Sequence, residues 1–306
     1  MGYNIKKEPK LNNPDLIVGW PGIGNVGLLA VETLWRQLEA EHLAEIEPEQ
    51  FFYPNGLIIK NSILENLSFP VSRFYFKRLP HRDLIFFTGE EQPADAGSTY
   101  ASGIKAYEMA NLVLDVAEHF GCKRVFTSGA AVSAIHHNAV PGVWAVASDT
   151  ALLAAINQSR GNHLKSELQG RGAQANISGL NGLLVGMAAR RGLPAACLMG
   201  EIPDYLARSP MPYPAAVKSV LEVMKGFLGL TLDYSELDEM HRQMKDVVDQ
   251  FFNQFPDEIK EKLSQRHQLA AQVQSGDAIT DEDKKWLEDH IDELFQPEAG
   301  GDDRAA

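Results

Sequence analysis

The amino-acid sequence predicts an α/β fold, in which helices cover both faces of a mostly parallel or mixed sheet. Short apolar segments alternate with helical patterns from Asp15 to about Leu230, as in chains built from βα units. A glycine-rich turn joins the first apolar segment to the first helical pattern. Beyond Leu232 only helical periodicity remains, so we expect an α/β core domain of residues 1–232 and an acidic helical C-terminal extension of residues 233–306.

The first half of the core is predicted to hold two buried strands, two helices and a less regular extended region. The strands are expected at 16–20 and 83–88, the helices at 26–39 and 99–120, and the extended segments at 56–63 and 71–77. The extended segments alternate only loosely and are interpreted as part of a hairpin or a sheet edge. Gly121 ends the long helix as a C-cap.

The second half is predicted to continue the same alternation and then to become helical. Strands are expected at 124–128, 143–147 and 194–199, a glycine-rich buried helix at 177–191, and a helix at 214–228 that Pro214 opens. Three helices are expected in the extension. The first carries an apolar stripe, the second covers 258–273 and the third starts at Thr280; the stripe comprises Leu237, Met240, Met244, Val247, Phe251 and Phe255.

Composition excludes several classes of protein. The 306 residues are 44% hydrophobic and 23% charged, which is typical of a globular chain, and Cys122 and Cys197 form neither a disulfide framework nor a zinc motif. Of the net charge of −13, residues 233–306 carry −12, from 20 acidic and 8 basic side chains, and the remainder carries −1. Without a basic stripe, a bilayer-length apolar run or a signal peptide, we expect no nucleic-acid partner, no membrane insertion and a cytoplasmic location.

The glycine-rich turn is the sharpest local motif. Residues 22–27 read Gly-Ile-Gly-Asn-Val-Gly, and the candidate ligand-binding residues are Gly22, Gly24, Asn25 and Gly27. A helix N-terminus behind glycines offers amide donors and a positive dipole end to an anion. Three interpretations stay open: a nicotinamide or flavin site, a site for another anion or nucleotide, and a purely structural turn.

One observation argues against the dinucleotide interpretation. Such a site needs an acidic residue at the end of a second strand, and the two acids at a tolerable distance, Glu45 and Glu47, follow no β-branched run. We therefore assign no cofactor.

Polar side chains after other predicted strands form a second group of candidates. Glu90, Glu91 and Gln92 follow the strand at 83–88, and paired carboxylates there would hold a metal or act as acid and base, or form only a solvated turn. Because loops at the carboxyl ends of parallel strands share one rim, we expect this turn to lie near the glycine turn.

The remaining candidates follow two later strands. Ser128 and Gly129 end the predicted strand at 124–128, and Glu201 follows the predicted strand at 194–199. No Gly-x-Ser-x-Gly elbow surrounds Ser128, and the adjacent His136 and His137 lack the spacing that places two imidazoles on one helical face. Neither a catalytic set nor a metal site is assigned.

Several motifs together resemble a known family. The residues at 19–27, 89–93, 178–186, 200–205 and 214–216 resemble, in order, those of the PAC2 family, named for proteasome assembly chaperone 2. The resemblance runs from about residue 14 to about residue 250. It implies an α/β core similar to phosphorylase/hydrolase-like folds and a tendency to self-associate. Archaeal and eukaryotic relatives help to assemble proteasome rings, and prokaryotic relatives have been labelled ATP-grasp-like or carboxylate-amine-ligase-like without an established reaction.

Two functions from different classes are consistent with these observations. The first is a non-enzymatic protein-binding or assembly-chaperone-like protein that forms a homo-oligomer and has an undetermined partner. The alternative is a small-molecule enzyme, an ATP-grasp-like ligase or a phosphorylase/hydrolase-like protein, that binds a nucleotide or other anion at the glycine turn. The chain ends Arg304-Ala305-Ala306 and not in the apolar-Tyr-X sequence with which some proteasome partners dock, so docking through the tail is not expected.

Overall fold

A nine-stranded mixed sheet forms the centre of the molecule. The computed structural model describes residues 2–94, 101–158, 164–165 and 177–274. The strands are β1 (Tyr3–Ile5), β2 (Asp15–Gly19), β3 (Glu41–Ile46), β4 (Gly56–Lys60), β5 (Ile63–Ser68), β6 (Ser72–Lys77), β7 (Leu84–Gly89), β8 (Arg124–Ser133), β9 (Val143–Ala147), β10 (Leu164–Lys165) and β11 (Ala195–Pro203). The order in the sheet is β1-β3-β6-β7-β2-β8-β11-β9-β10, while β4 and β5 form a separate two-stranded sheet.

The central strands β7, β2, β8 and β11 run parallel, and both flanks contain antiparallel pairs. Parallel strands buried on both faces read as continuous apolar runs, as residues 16–18 of the fully buried strand β2 do. The predicted α/β class with a mixed sheet is therefore confirmed.

Helices cover both faces of this sheet. They are α1 (Val26–Gln37), α2 (Gly103–His119), α3 (Thr150–Gln158), α4 (Gly179–Arg190), α5 (Pro214–Leu228), α6 (Ser235–Asn253) and α7 (Asp257–Gln274). Because successive strand side chains point to opposite faces, Leu16 and Val18 pack in the core under α2 and α4, while Ile17 packs in the core under α1 and α5. The result is the predicted helix–sheet–helix layering.

Some elements differ from their predicted bounds. The strands predicted at 124–128 and 194–199 extend to Ser133 and Pro203, because β8 and β11 pair in register over nine positions. The extended segment predicted at 56–63 covers β4, the hairpin turn and only the first residue of β5, which runs to Ser68. The segment predicted at 71–77 contains β6, which pairs with β3 and β7 in the main sheet. Strands β1, β3 and β10 and helix α3 had not been predicted.

Strand β3 corrects part of the argument about the dinucleotide site. Glu45 lies within this strand, although no β-branched run marks it. The strand is antiparallel to both of its neighbours, and two strands separate it from β2, so it is not the second parallel strand of a dinucleotide fold. Glu45 instead forms an ion pair with Lys6.

The C-terminal helices divide between two compact units. Residues 1–254 form one unit, which includes α6, and residues 255–306 form the other, which includes α7. The predicted boundary at 232/233 stays a prediction. The predicted helix at 258–273 corresponds to α7, and the one starting at Thr280 lies outside the described residues. No helix in the described ranges combines the length and apolar character needed to cross a bilayer.

The predicted apolar stripe of α6 is correct at its start and wrong further along. Leu237 and Val248 are buried against the core, but Val247 and Phe251 are 42% and 40% exposed. In a straight α-helix, residues spaced by seven gradually rotate around the helix axis and leave the face on which they began. The face of α6 that packs toward the core therefore runs from Leu237 to Val248 and Phe252.

Candidate functional site

The carboxyl ends of the central parallel strands meet at one rim of the sheet. The glycine turn follows β2, residues 90–92 follow β7, and the last residues of β8 and β11 pair beside them. The expected convergence of these loops is confirmed. Whether they bind a ligand stays a prediction.

Two glycines of the motif are required by packing. A Cβ on Gly27 would lie 2.2 Å from the carbonyl oxygen of Ser128, so α1 rests directly on the backbone of β8. Gly24 has φ +60°, and a Cβ there would lie 2.9 Å from both Ile202 and Tyr213. The Gly24 carbonyl also accepts a 2.8 Å hydrogen bond from the Tyr213 amide. These contacts support the structural interpretation for both positions.

Gly22 faces open space, and Asn25 is half-buried. A Cβ on Gly22 would meet no atom within 4 Å, and the backbone there is extended, with φ −171°. Asn25 has left-handed backbone geometry and precedes α1, but its side chain makes no capping hydrogen bond. These positions remain open to a ligand.

A small cavity, which we call the turn cavity, lies beneath the glycine turn. Its volume is about 90 Å³. It is lined by Trp20, Gly22, Ile23, Gly27, Gln92, Gly129, Ala130, Ile177, Ser178, Asn181, Cys197 and Met199. The cavity brings together candidates from β2, β7 and β8, and adds the start of α4, which the sequence had not indicated.

Gln92 connects the glycine turn to α4. Its Nε2 donates to the Pro21 carbonyl at 2.6 Å, and its Oε1 accepts from the Leu180 amide at 3.1 Å. The second bond satisfies one of the free amides of the first helical turn. Gln92 therefore holds the two walls of the cavity together.

Two buried polar atoms on residues that line the turn cavity lack a hydrogen-bond partner within the described residues. They are Nε1 of Trp20, a residue only 1% exposed, and Oδ1 of Asn181. A buried polar group without a partner costs about 1–3 kcal/mol. A polar ligand or water molecules within hydrogen-bond reach of these atoms would offset that cost.

Outside the cavity lies a wide open groove, which we call the rim groove. It is about 840 Å³ in volume, and its lining includes Glu90, Glu91 and Arg208. Glu90 is partly committed to the fold, since its Oε2 accepts from the Val71 amide at 2.9 Å. Glu91 is exposed. Burial raises the pKa of the nearby Glu32 carboxyl, Arg36 opposes that rise and Glu90 adds to it.

With this geometry established, comparison with known proteins identifies the family. A model of the PAC2 family matches residues 16–251. The chain belongs to the PAC2 family. A PAC2 family protein from Streptomyces avermitilis has a similar fold, with a TM-score of 0.61 and 19% identity over 78% of this chain and 95% of that chain.

Two archaeal relatives are closer in sequence to this PAC2 family member than the Streptomyces protein is. Pyrococcus furiosus PbaB, described as an archaeal proteasome activator, is 28% identical with a TM-score of 0.68, covering 81% of this chain and 97% of PbaB. The uncharacterized protein MJ1210 of Methanocaldococcus jannaschii is 27% identical over 247 residues, which are 80% of this chain and 85% of MJ1210.

Ser128 and Glu201 line neither the turn cavity nor the rim groove. Ser128 is an internal residue of β8, and its side chain shares the face of Phe126, which α1 and α5 cover. Its hydroxyl is fully buried without a hydrogen-bond partner among the described residues. Glu201, only 1% exposed, faces β9, where its carboxylate accepts from the Gly142 amide at 2.9 Å and from Trp144 Nε1 at 3.2 Å. Of the two candidates in β8, Ser128 and Gly129, only Gly129 lines the turn cavity.

A polar cluster that sequence reasoning missed surrounds His137. Its Nδ1 lies 2.7 Å from the Tyr205 hydroxyl and its Nε2 lies 2.8 Å from Asp249 Oδ1. Lys245 Nζ contacts the other oxygen of Asp249 at 2.5 Å. The ring of Phe252 packs against His137 and Tyr205. This cluster fastens α6 to the loops after β8 and β11.

The electrostatics of the His137 cluster match a structural role. Burial lowers the pKa of His137, and Asp249 opposes that shift. Burial also raises the pKa of Tyr205 well above its usual range. Asp249 lies 112 residues further along the chain, so its contact with His137 gives no signal in sequence spacing. Within the described ranges no group of three or more His, Cys, Asp or Glu residues is arranged to hold a metal ion.

Proposed function

We propose that this PAC2 family member is a non-enzymatic protein-binding factor of the assembly-chaperone type, that it acts on proteasome-type rings and that it works as a homo-oligomer. The observation that carries the proposal is the β4–β5 hairpin. Six of its large aliphatic side chains are 43–68% exposed, and none belongs to either hydrophobic core cluster. They are Leu57, Ile58, Ile59, Ile63, Leu64 and Leu67.

An exposed hairpin of this kind favours a protein partner. Monomeric proteins in water rarely expose contiguous apolar patches above a few hundred Å², and larger patches mark interaction sites. An isolated two-stranded hairpin is also marginally stable in water, so a covering surface would stabilise it. A small-molecule site needs no such surface.

The class of partner is supported by Pyrococcus furiosus PbaB, whose fold has a higher TM-score to this chain than that of the Streptomyces protein. PbaB is described as an archaeal proteasome activator and matches this chain over 97% of its own length. We extend that partner class to this protein. The two cysteines are free and buried, which is consistent with the reducing cytoplasmic compartment that we also propose.

The proposal is tested with the full chain and a purified proteasome core particle from the same source. Biolayer interferometry should show binding with a dissociation constant of about 10 μM or tighter, in the range of specific protein pairs. Peptidase activity or ring assembly should change on addition of the chain. Absence of binding at about 100 μM, together with unchanged peptidase activity and assembly, would refute the proposal.

A second candidate function is the binding of a small anion or polar molecule in the turn cavity. The unpartnered Trp20 Nε1 and Asn181 Oδ1 favour it, and the 90 Å³ volume suits a few heavy atoms better than a dinucleotide. Phosphate, acetate and nucleotides are the probes for a thermal-shift measurement. A ligand at about 100 times its dissociation constant should stabilise the fold by about 2.7 kcal/mol.

The Trp20→Phe variant is the matched control, because it removes the indole donor and keeps an aromatic ring. The candidate predicts that stabilisation by the ligand is lost in this variant. No stabilisation of the wild-type chain by any probe would remove the candidate.

A further inference from the structure

A pocket at the amino ends of the parallel strands shares no residue with the turn cavity. Its volume is about 270 Å³, and we call it the arginine pocket. Leu84 and Arg124 are the first residues of β7 and β8, which run parallel to β2, whereas the glycine turn follows the carboxyl end of β2. The arginine pocket therefore lies at the opposite edge of the sheet from the glycine turn. It is lined by Leu79, Pro80, His81, Arg82, Leu84, Arg124, Phe227, Leu228, Gly229 and Leu230.

Two guanidinium groups form the polar wall of the arginine pocket. Both contact Asp15, whose side chain is fully buried. Arg82 Nη1 donates to Asp15 Oδ1 at 2.9 Å, and Arg124 donates to both carboxylate oxygens through Nε and Nη2. Within the described residues, Nη1 of Arg124 and both Nε and Nη2 of Arg82 have no hydrogen-bond partner. A guanidinium group only donates, so these nitrogens are available to an acceptor such as an anion.

The guanidinium group of Arg124 is held in place before any ligand binds. Its carbon lies 5.1 Å from the centre of the Phe126 ring, and its bonds to both oxygens of Asp15 fix the plane of the group. The Arg124 side chain is only 22% exposed. A donor that is already ordered loses little conformational freedom on binding, which favours affinity.

The other wall of the arginine pocket is apolar. Leu79, Phe227, Leu228 and Leu230 are partly buried and pack against the core under α5. Gly229 ends α5 with φ +66°, so the chain turns back there and Leu230 forms part of the pocket wall. A ligand that fills the pocket therefore needs an apolar body beside its anionic group.

We propose that the arginine pocket binds a small organic monocarboxylate with a branched aliphatic or aromatic body. The planar fork of a guanidinium group matches the geometry of a carboxylate. The volume of about 270 Å³ lies just below the range of about 300–1,000 Å³ that is typical of pockets for drug-sized ligands, so a compact acid suits it. This site goes beyond the proposed function and does not involve the hairpin.

The local charges favour a monocarboxylate over a phosphate dianion. Besides Asp15, the buried carboxylate of Asp83 lies next to Arg82 in the sequence and accepts from the Asn12 amide at 2.6 Å and the Leu79 amide at 3.0 Å. The C-terminal end of α5 also lines the pocket, and it carries the negative end of the helix dipole. A dianion would meet about twice the repulsion from these groups that a single negative charge meets.

Isothermal titration of the full chain with 4-methylpentanoate at about pH 7.5 is the first test. We expect a dissociation constant of about 1 mM or tighter. The neutral 4-methylpentanamide has the same shape and should bind at least about tenfold more weakly, because charge-assisted hydrogen bonds are stronger than neutral ones. Inorganic phosphate should also bind at least about tenfold more weakly than the acid, because it lacks the apolar body.

The second test uses two arginine variants. Arg82→Gln removes one guanidinium group and leaves the bonds from Arg124 to Asp15 in place, so the fold should survive. It should weaken the binding of 4-methylpentanoate at least about fivefold. Arg78→Gln is the matched control, since it removes the same charge from the same loop at an exposed residue that does not line the pocket. Its affinity for the acid should equal that of the wild type, and melting temperatures without ligand check that both variants fold.

The third test changes the apolar wall and leaves the charges as they are. Leu230→Ala should weaken the binding of 4-methylpentanoate several-fold and keep the ratio between the affinities for the acid and the amide. This variant and the comparison of acid with amide in the wild type still decide the matter if Arg82→Gln fails to fold.

The carboxylate has two potential sources, a free acid and the C-terminal residue of a peptide. N-acetyl-leucine presents an aliphatic side chain and a carboxylate as such a residue does. Tighter binding of N-acetyl-leucine than of 4-methylpentanoate would identify a peptide C-terminus as the source, and the reverse order would identify a free acid. Either order supports the proposed chemistry.

Three results would overturn the proposal. No binding of 4-methylpentanoate at about 10 mM would show that the pocket is not a site for such acids. Equal affinities for the acid and the amide, or phosphate binding as tight as that of the acid, would show that the pocket does not select an apolar carboxylate. An equal loss of affinity in Arg82→Gln and Arg78→Gln would show that binding depends on the general charge of the loop and not on the arginine pocket.

Discussion

Replacing Gly27 with alanine should destabilise the protein strongly, whereas the same change at Gly22 should leave its stability nearly unchanged. Both residues belong to one six-residue motif, and both substitutions add a single methyl group. The Cβ on Gly27 would lie 2.2 Å from the carbonyl oxygen of Ser128, and the Cβ on Gly22 would meet nothing within 4 Å. The pair therefore separates the packing role of the motif from a ligand-binding role.

The magnitude follows from that distance. An ordinary C–H···O contact has about 3.3 Å between carbon and oxygen, so α1 would have to move about 1 Å away from β8. Overpacking of a core costs about 1–3 kcal/mol and sometimes more, while alanine in a helix recovers up to about 1 kcal/mol relative to glycine. Because the clash is with backbone and not with a flexible side chain, we expect a net loss of about 2 kcal/mol or more for Gly27→Ala. For Gly22→Ala, in extended backbone, we expect a change within about 0.5 kcal/mol.

Thermal unfolding followed by circular dichroism measures both variants. The expected decrease in melting temperature for Gly27→Ala is about 4 °C or more. If a ligand occupies the turn cavity, Gly22→Ala should lower its affinity without lowering the melting temperature of the free protein. Equal melting temperatures for the two variants would refute the packing argument.

Three further predictions concern buried polar groups. Ser128→Ala removes a hydroxyl that has no hydrogen-bond partner in the described structure, so the free energy of unfolding should stay the same or rise by up to about 1 kcal/mol. A loss above about 1 kcal/mol in urea denaturation would contradict this. Glu201→Gln replaces one carboxylate oxygen, which accepts a hydrogen bond from Gly142 or Trp144, with an NH₂ group. The free energy of unfolding in the same assay should fall by about 1–3 kcal/mol, and an unchanged value would show that the two hydrogen bonds are unimportant. Burial lowers the folded-state pKa of His137 below its unfolded value, so the free energy of unfolding should be highest above the unfolded pKa, near 6.5, and should fall as the pH decreases through it. His137→Asn should show a smaller loss of stability between about pH 7.5 and 5. An equal loss in the variant and the wild type would contradict this reasoning.

Most of the central layer could be predicted because its strands carry strong local signals. Strands β2 and β7 are apolar runs that stop at glycine, β8 begins as an apolar run, and α5 begins at a proline. Strand β3 gave no such signal, because it lies near the edge of the sheet and mixes polar and apolar residues without a regular alternation. Its pairing with β6 is a tertiary contact that no local pattern encodes.

The site was predictable in position and not in detail. The rule that loops gather at the carboxyl ends of parallel strands placed the glycine turn near Gln92 and Gly129. The same rule misplaced the environment of Glu201, because antiparallel β9 pairs beside β11 and takes up its carboxylate. The contribution of Asn181 depends on how α4 packs over β8, which sequence spacing does not reveal.

Hydrogen exchange of the hairpin amides tests most directly the claim that protein contacts made through exposed apolar surface are the function of this chain. Mass spectrometry would follow peptides that cover residues 56–68 in the full chain, at about 1 μM and about 100 μM and with the core particle present. We predict at least about tenfold slower exchange with the core particle present, because a protein partner would cover the hairpin. Equally fast exchange at both concentrations and with the core particle would show that nothing covers this surface, and would contradict the account.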